Sequence, residues 1–360
     1  MSRGLRFVVC VACAWGVTAC GGAPRAAQWE AADGLMHSDA RWLGADVASS
    51  IDLGGDRTLW LFGDTFVART SAGARAESVM VRNTVAVQTG RDPTRATITF
   101  HWRGAEGGAP ASYFPEVGPT WHWPGHGVRI PSGPLVVFLS AIRAKAGGGV
   151  FGFEAAGWRV GLIDDPDRTP EEWTPRFVEG AGETFGSVPG AAVVRDGGYV
   201  VSLSPRSVGE HDAYLVRFAE DALRAGTIAA QWWTGTGWSA SGPPVVVLPA
   251  AGTECSVHFD TRAGRWIHVT SRGFGATTIA MRTAERLEGP WGPSTDVFVP
   301  PESRGRRPLV YAAKAHPELA ALDPRDLVVT YATNSFDFAS LLAPEGAATY
   351  WPRFVRVRMR

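Results

Sequence analysis

The sequence predicts an all-β fold, because short apolar runs alternate with turn residues along most of its 360 residues. Runs such as 58–62, 135–139 and 199–203 have the length of strands, and Gly, Pro or Asp residues separate them. Only residues 219–225 could form one or two helical turns. With 45% hydrophobic residues, 15 Trp, 43 Gly and 25 Pro, the chain can turn often and still bury a large core.

A weak repeat of roughly 60 residues divides most of the chain into five units. These units cover residues 40–103, 111–179, 180–239, 240–300 and 306–360. One small four-stranded sheet per unit, with its faces buried by its neighbours, accounts for this spacing. The sequence therefore predicts a five-bladed β-propeller over residues 39–360. Two stacked sandwich domains are the alternative, although no linker-like change of composition occurs within the chain.

Charge and motif content exclude several classes of function. Acidic and basic residues are equal in number, 35 of each, whereas nucleic-acid-binding proteins carry a basic excess or stripe. No P-loop, G-x-S-x-G elbow or dinucleotide fingerprint precedes a helix, which excludes NTPase, serine hydrolase and Rossmann-type functions. Neither H-E-x-x-H nor paired Cys/His spacing occurs, so we expect no metal. From the missing nucleotide motifs we expect no cofactor, and from the balanced charge no nucleic-acid partner.

The first 19 residues are typical of a secretory signal. Arg3 and Arg6 precede an apolar run over 7–17, which is too short to span a bilayer. The following Val17-Thr18-Ala19-Cys20 resembles the lipobox of bacterial lipoproteins, and an ordinary signal peptide is the alternative. This predicts a signal peptide over 1–19, a lipid on Cys20 and a tether over 20–38. The protein would then be an outer-membrane lipoprotein of the cell envelope, facing the periplasm or the surface.

Removal of the signal and acylation of Cys20 would leave the mature domain with Cys255 as its single thiol. Cys255 lies in an alternating, strand-like stretch, where a small buried side chain is the commoner role. A nucleophilic thiol is the alternative. We interpret Cys255 as structural.

Candidate site residues precede or follow the strong strand of each unit, because propellers bind ligands where their innermost strands begin. Asp46 and Asp64 belong to the first unit, and Asp64 follows an apolar strand directly. A turn role for Asp64 is the alternative, since Asp commonly bonds its own backbone in turns. Glu254 and His316 come from later units. Carboxylates, histidines and loop tryptophans together favour carbohydrate chemistry, because glycoside hydrolysis uses two carboxyl groups and sugars stack on aromatic faces.

Several short motifs follow one another along nearly the whole mature chain. They are Gly44-Ala45-Asp46, Leu59-Trp60-Leu61-Phe62-Gly63-Asp64-Thr65, Trp123-Pro124 with Gly127, Tyr214-Leu215-Val216-Arg217, Trp233-Thr234-Gly235, Gly237-Trp238-Ser239, Glu254-Cys255-Ser256-Val257, Gly289-Pro290-Trp291 and Val329-Thr330-Tyr331-Ala332-Thr333-Asn334-Ser335. In this order they resemble a family of bacterial secreted proteins, described as a domain of unknown function. That family is related to the five-bladed β-propeller glycosidases of the arabinanase and levansucrase type.

The resemblance implies a glycosidase, because characterised members of the family are endo-acting D-arabinofuranosidases. Their acid pair maps onto Asp46 and Asp64, and the general-acid glutamate of the wider superfamily maps onto Glu254. The residues expected to bind substrate are Trp123, His126, Lys314, His316 and Asn334.

These expectations combine into one hypothesis and one alternative. The hypothesis is a lipid-anchored glycoside hydrolase acting on an arabinofuranose-like polysaccharide. A noncatalytic propeller that binds glycan or protein is the alternative, since one fold supports many functions. The pair Gly125-His126 departs from the family pattern and leaves the sugar specificity open.

Overall fold

The structure is a computed structural model that describes residues 26–71, 73–147, 151–182, 184–305 and 307–359. The predicted signal peptide and Cys20 lie outside these residues. Strands dominate the described chain, so the all-β prediction is confirmed. Within this part of the chain, no helix has both the length and the apolar character needed to cross a membrane.

The first ten strands lie before residue 112. They are β1 (Ala26–Gln28), β2 (Trp42–Ala45), β3 (Ser49–Gly54), β4 (Arg57–Phe62), β5 (Thr65–Val67), β6 (Val79–Val81), β7 (Thr84–Thr89), β8 (Thr97–His101), β9 (Arg103–Gly104) and β10 (Pro110–Ala111). The next nine are β11 (Thr120–Arg129), β12 (Leu135–Ala144), β13 (Phe153–Ile163), β14 (Arg176–Glu179), β15 (Ala192–Asp196), β16 (Tyr199–Pro205), β17 (Ala213–Ala219), β18 (Gln231–Trp233) and β19 (Trp238–Ser239).

The last seven strands are β20 (Cys255–Asp260), β21 (Arg265–Phe274), β22 (Ala276–Ala284), β23 (Thr295–Phe298), β24 (Pro308–Ala315), β25 (Asp326–Ser335) and β26 (Pro352–Arg358). The α-helices are short: α1 (Glu30–Asp33), α2 (Glu220–Arg224) and α3 (Phe338–Leu342). Single 3₁₀ turns occupy Gly34–His37, Arg75–Glu77, Glu106–Gly108, Pro170–Glu172, Pro301–Arg304 and Pro344–Gly346.

Five antiparallel sheets form the body of the fold, and each falls within one predicted repeat unit apart from the outermost strand of the last. Sheet 1 contains β3, β4, β7 and β8; sheet 2 contains β11 to β14; sheet 3 contains β15 to β19; sheet 4 contains β20 to β23; and sheet 5 contains β24, β25, β26 and β1. Two smaller sheets, β2-β5-β6 and β9-β10, flank them. Strand β4 is buried from Thr58 onward, which explains its continuous apolar sequence.

Each sheet packs on the next, and the fifth packs on the first. The innermost strands β3, β11, β15, β20 and β24 contact one another in that order. A separate apolar core lies between each successive pair of sheets. The core between sheets 5 and 1 contains Trp60, Phe62, Val328 and Phe354. Burial of this apolar surface is the main stabilising term of the fold.

The described part of the predicted tether over 20–38, residues 26–38, is part of the fold and does not form a tether. Strand β1 pairs with β26 in an antiparallel register and completes sheet 5. Trp29 and Met36 are buried in the core between sheets 5 and 1. The carboxylate of Asp33 accepts a 2.8 Å hydrogen bond from the backbone N–H of Phe354. These apolar and backbone groups hold the segment against the last sheet.

Histidines cross-link the innermost strands. The Val193 N–H donates to Nδ1 of His126 at 2.9 Å, so Nε2 carries the ring proton and donates to the Ser50 carbonyl at 2.8 Å. His126 of sheet 2 thereby joins sheets 1 and 3. His316 follows β24, and its ring nitrogens bond the hydroxyls of Ser50 at 2.5 Å and Thr330 at 2.7 Å. These two rings fix the relative positions of four sheets.

His268 supports a prediction about acid stability. Its side chain is fully buried, Nε2 donates to the Ala251 carbonyl at 3.1 Å, and Nδ1 has no partner among the described residues. Burial lowers the pKa of His268 to about 3, below the unfolded value of about 6.5. The unfolded chain therefore binds this proton first, and the stability contributed by the neutral ring declines as pH falls below about 6.5.

The test compares the pH dependence of the parent with that of His268→Gln. The quantity compared is the free energy of unfolding of the parent minus that of the variant. As pH falls from 6.5 to 4, we expect this difference to decrease by up to about 1.4 kcal/mol for each pH unit. Urea unfolding at several pH values measures this difference. Thr97→Val, at an exposed position of β8 without a titratable side chain, is the control, with a constant difference expected. A constant difference for His268→Gln would contradict the prediction.

Candidate active site

The structure places Asp46 and Asp64 side by side at one end of sheet 1. Asp46 follows β2 and Asp64 precedes β5, and these two strands pair through Ala45 and Thr65. The Gly63 N–H also donates to the backbone carbonyl of Asp46 at 3.3 Å. Strand pairing therefore brings together two carboxylates that are separated in sequence by a hairpin.

The backbone after Asp46 is strained. Val47 and Ala48 have φ angles of 68° and 49°, in the left-handed region that a β-branched residue such as Val rarely adopts. Strain of this kind costs roughly 1–3 kcal/mol per residue and persists only where the surroundings enforce it. Lys314 is one such restraint, because its ammonium donates to the Val47 carbonyl at 2.9 Å. The strained turn fixes the direction of the Asp46 side chain.

Asp46 is placed to hold a proton at neutral pH. Burial raises its pKa to about 8, and the negative charges of Asp64 and Glu254 add to the rise. The Tyr311 hydroxyl donates to Asp46 Oδ2 at 2.7 Å, and this bond and the charge of Lys314 oppose the rise. Asn334 in turn donates from Nδ2 to the Tyr311 oxygen at 2.9 Å.

Asp64 is surrounded by donors. The Trp123 indole donates to Oδ1 at 2.8 Å, and Arg82 donates to Oδ2 at 3.3 Å. Burial raises the pKa of Asp64, whereas the charge of Arg82 and the two hydrogen bonds oppose that rise. The Tyr350 hydroxyl also donates to the Asp64 backbone carbonyl at 3.0 Å. Burial thus raises the pKa of both carboxyl groups, and the donors that favour a carboxylate are concentrated at Asp64.

Glu254 approaches from sheet 4, directly before β20. Its Oε1 lies 3.4 Å from the Lys314 ammonium, which comes from β24 of sheet 5. Lys314 is 4% exposed, so its charge is held within the protein between Glu254 and the strained turn after Asp46. The charges of Glu254 and Asp46 thus both lie near one buried cation.

Three of the predicted substrate contacts have their polar groups bonded within the protein. Both ring nitrogens of His126 bond backbone groups, and both of His316 bond hydroxyls, so neither ring has a nitrogen available for a sugar. Lys314 is buried and bound to protein oxygens. All three residues support the site. Trp123 and Asn334 lie beside the carboxylates as half-exposed side chains, and their contact with substrate stays a prediction.

Tyr311, Arg82 and Tyr350 are absent from the predicted site residues. Strand alternation would place residues 311 and 314 on opposite faces, but Ala312 has a φ of 57° and the register of β24 shifts between Tyr311 and Lys314. The bulge turns both side chains toward the carboxylates. Arg82 carries a weak sequence signal, as a charged residue between two apolar strands, β6 and β7.

The site is built from oxygen and nitrogen groups that bond one another. Within the described ranges, no group of three or more His, Cys, Asp or Glu side chains is arranged to hold a metal ion. Cys255 is buried, and burial raises the pKa of its thiol to about 12, which leaves it protonated. Its environment fits the structural interpretation.

A cavity of about 700 Å³ lies beside the carboxylates and not over them. Tyr113, Trp173 and Phe177 are among its aromatic lining residues. Val81 and Glu116 also line it, and Arg82 next to Val81 bonds Asp64. The chemistry of the carboxylates, and not the size of the cavity, therefore identifies the candidate site.

Comparison with known proteins identifies a family and a fold. Residues 30–359 match the model of a family described as a domain of unknown function, DUF5005. No curated protein sequence matches the chain. A solved structure of a candidate hydrolase from Bacteroides ovatus superposes with a TM-score of 0.71 at 15% identity, over 92% of this chain and 90% of that one. The two chains share a fold.

Two glycoside hydrolases are more distant structural neighbours. The catalytic domain of the GH62 α-L-arabinofuranosidase of Coprinopsis cinerea has a TM-score of 0.49 at 12% identity, over 89% of this chain and 98% of that one. The exo-β-1,3-galactanase of Phanerochaete chrysosporium also has a TM-score of 0.49 at 12% identity, over 87% of this chain and 60% of that one. At these scores, neither similarity carries an argument about function.

Gly63 supplies the space that the Asp46 carboxylate occupies, which yields a prediction. A Cβ atom at Gly63 would lie 2.4 Å from Asp46 Oδ1 and 2.8 Å from Val47 Cγ2. We expect Gly63→Ala to displace the Asp46 carboxylate and to reduce the free energy of unfolding by about 1–3 kcal/mol. A crystal structure of the variant and its urea unfolding curve measure the two effects.

The control is Gly237→Ala, because a Cβ at Gly237 meets no atom within 4 Å. That variant should keep both the position of Asp46 and the stability of the parent. An Asp46 carboxylate in its original position in Gly63→Ala would contradict the prediction.

Proposed function

The chain belongs to the DUF5005 family, and we propose from the geometry of its site that it is a glycoside hydrolase. The observation that carries the proposal is the unequal pair of carboxyl groups. We assign the proton at neutral pH to Asp46, whose pKa is raised to about 8, and the negative charge to Asp64, to which Arg82 and Trp123 donate. One acid and one carboxylate at the same site are the groups that glycoside hydrolysis requires.

The proposed architecture is a five-bladed β-propeller with the acid pair at one mouth of its axis. Five sheets that pack in succession, with the fifth against the first, support this arrangement. The carboxylates lie where innermost strands begin: Asp46 comes shortly before β3, and Glu254 directly before β20. Residues from several sheets can therefore converge on one substrate.

In the proposed mechanism, Asp46 is the general acid. Its proton passes to the glycosidic oxygen as the bond to the leaving sugar breaks. The Tyr311 hydroxyl, 2.7 Å from Oδ2, then stabilises the carboxylate that remains. Asp64 acts on the opposite side of the scissile bond, as the base for an attacking water or as the nucleophile. Lys314 keeps Glu254 and the turn after Asp46 in position.

An arabinofuranose-like polysaccharide is the proposed substrate, cut at internal linkages of a D-arabinofuranose chain. This specificity rests on the order of motifs from Gly44-Ala45-Asp46 to Asn334-Ser335, which resembles that of the endo-acting enzymes. The half-exposed Trp123 is a ring that can contact the sugar, because its indole N–H is fixed by Asp64.

The proposed location is the cell envelope, through a lipid on Cys20. The basic and apolar N-terminal sequence before Cys20 supports this location. The first strand begins at Ala26, so the proposed anchor would hold the folded domain close to the membrane surface. Fractionation of cells that express Cys20→Ser tests the anchor: the variant should leave the membrane fraction, and its retention there would refute lipidation.

The acid pair predicts the effect of removing either carboxyl group. We expect Asp46→Asn and Asp64→Asn each to lower kcat by roughly 10²–10⁴-fold, since an amide can neither donate the proton nor act as base. Chromatography of the products released from arabinans and other furanosides measures the rates. Asp221→Asn, at a fully exposed carboxylate on α2, is the control. Glycan binding by a parent protein that releases no product would identify a noncatalytic binding protein.

The pKa of Asp46 predicts the pH profile. The acid form is lost as pH rises through about 8, so kcat/KM should fall above that pH. Tyr311 stabilises the ionised form, so Tyr311→Phe should raise the pKa of Asp46 and move the alkaline limb to higher pH. Tyr199→Phe, at the β15–β16 turn away from the carboxylates, is the control. A limb that moves to lower pH, or does not move, would contradict the assignment of Asp46 as the acid.

A further inference from the structure

Four phenylalanine rings meet at the same end of the fold as the carboxylates. This phenylalanine cluster consists of Phe151 and Phe153 at the start of β13, Phe274 at the end of β21 and Phe336 directly after β25. Phe151 has its ring centroid 6.0 Å from that of Phe274 and 6.1 Å from that of Phe336. Phe274 and Phe336 lie 5.7 Å apart. Sheets 2 and 4 are not neighbours in the succession of sheets, yet Phe151 before β13 and Phe274 at the end of β21 are in contact.

The cluster exposes an unusual amount of aromatic surface. Phe274 is 75% exposed, Phe151 46% and Phe153 36%. Single exposed hydrophobic side chains are common on proteins, but contiguous exposed patches mark binding surfaces. The four rings come from three sheets, so packing within any one sheet does not account for their contact.

The cluster is continuous with the carboxylates at both of its ends. Phe153 packs edge-on against Trp123 with a centroid distance of 4.7 Å, and Trp123 donates to Asp64. Phe336 lies two residues after Asn334, which donates to Tyr311, and Tyr311 donates to Asp46. A molecule held at the acid pair would therefore have the phenylalanine rings beside it.

We propose that the phenylalanine cluster is a sugar-binding platform for units of the polysaccharide next to the bond that is cut. This inference rests on the proposed function and extends it to a site that the catalytic groups do not include. Flat, exposed rings without a polar group suit the apolar faces of sugar rings, which pack against aromatic side chains. The platform adds affinity for a polymer without touching the reacting atoms.

The test measures glycan binding separately from hydrolysis. Phe274→Ala and the double variant Phe151→Ala/Phe274→Ala are made in the parent and in Asp46→Asn. Affinity electrophoresis through gels containing D-arabinan, xylan or galactan measures binding by the Asp46→Asn proteins. One or more of these polysaccharides should slow the migration of the Asp46→Asn protein. We expect the double variant in the Asp46→Asn background to bind that polysaccharide about tenfold more weakly than Asp46→Asn alone, because two ring contacts are lost. In the active background, KM for the polymer should rise while kcat is kept.

The control is Phe259→Ala. Phe259 is 45% exposed and pairs with Trp266 next to the β20–β21 turn, at the opposite end of sheet 4 from Phe274. It should bind and hydrolyse as the parent does. Thermal unfolding of all variants checks that the alanines leave the fold intact, which their exposure favours.

The outcomes separate this inference from the proposed function. Hydrolysis by the parent with unchanged binding and KM in the double variant would overturn the platform and leave the hydrolase. Glycan binding without hydrolysis, lost in the double variant, would overturn the hydrolase and leave the platform. A parent that neither binds nor cuts any of the three polysaccharides would overturn both. Binding to phosphatidylethanolamine–phosphatidylglycerol vesicles that the double variant loses would assign the rings to a lipid surface and overturn the platform.

Discussion

The packing of sheet 5 against sheet 1 is the contact on which the site depends. Asp46 and Asp64 belong to the chain around sheet 1, whereas Tyr311 and Lys314 come from β24 of sheet 5. The core that joins the two sheets contains Trp60 and Phe354, both fully buried. Because apolar packing fixes the distance between the sheets, the hydroxyl of Tyr311 and the ammonium of Lys314 reach their partners without further adjustment. The apolar core and the acid chemistry are thus parts of one arrangement.

The carboxylates are kept together at an electrostatic cost. Asp46, Asp64 and Glu254 repel one another as anions, and the rise in the pKa of Asp46 expresses this repulsion together with burial. One proton on Asp46, Arg82 at Asp64 and Lys314 at Glu254 reduce the repulsion. The left-handed Val47 adds backbone strain at the same place. Energetically unfavourable features are therefore concentrated at one end of the fold, as expected where function and not stability selected the residues.

Local patterns predicted the strands and the carboxylates, whereas contacts between distant residues could not be predicted. The apolar run before Asp64 and the turn residues around it are local signals, so the strand and the emerging carboxylate are both visible in the sequence. The role of His126 depends on Ser50 and Val193, which lie 76 and 67 residues away. The direction of the Tyr311 side chain depends on a bulge at Ala312, and no residue type in the sequence predicts that bulge. From the sequence, Trp29 and Met36 belong to a predicted linker. Only the fold shows that sheet 5 buries both side chains.

The pairing of β1 with β26 also governs how the molecule can assemble. Asp33 and Phe354, which bond each other beside this pairing, are 321 residues apart in sequence. Strand β1 is synthesised long before β26, so sheet 5 is complete only after the chain has been made through β26 and β1 has paired with it. Contacts of such long sequence separation slow folding, because the chain loses loop entropy before it gains packing. Until β1 pairs with it, β26 presents an unpaired strand edge, and such edges are sites of aggregation during folding.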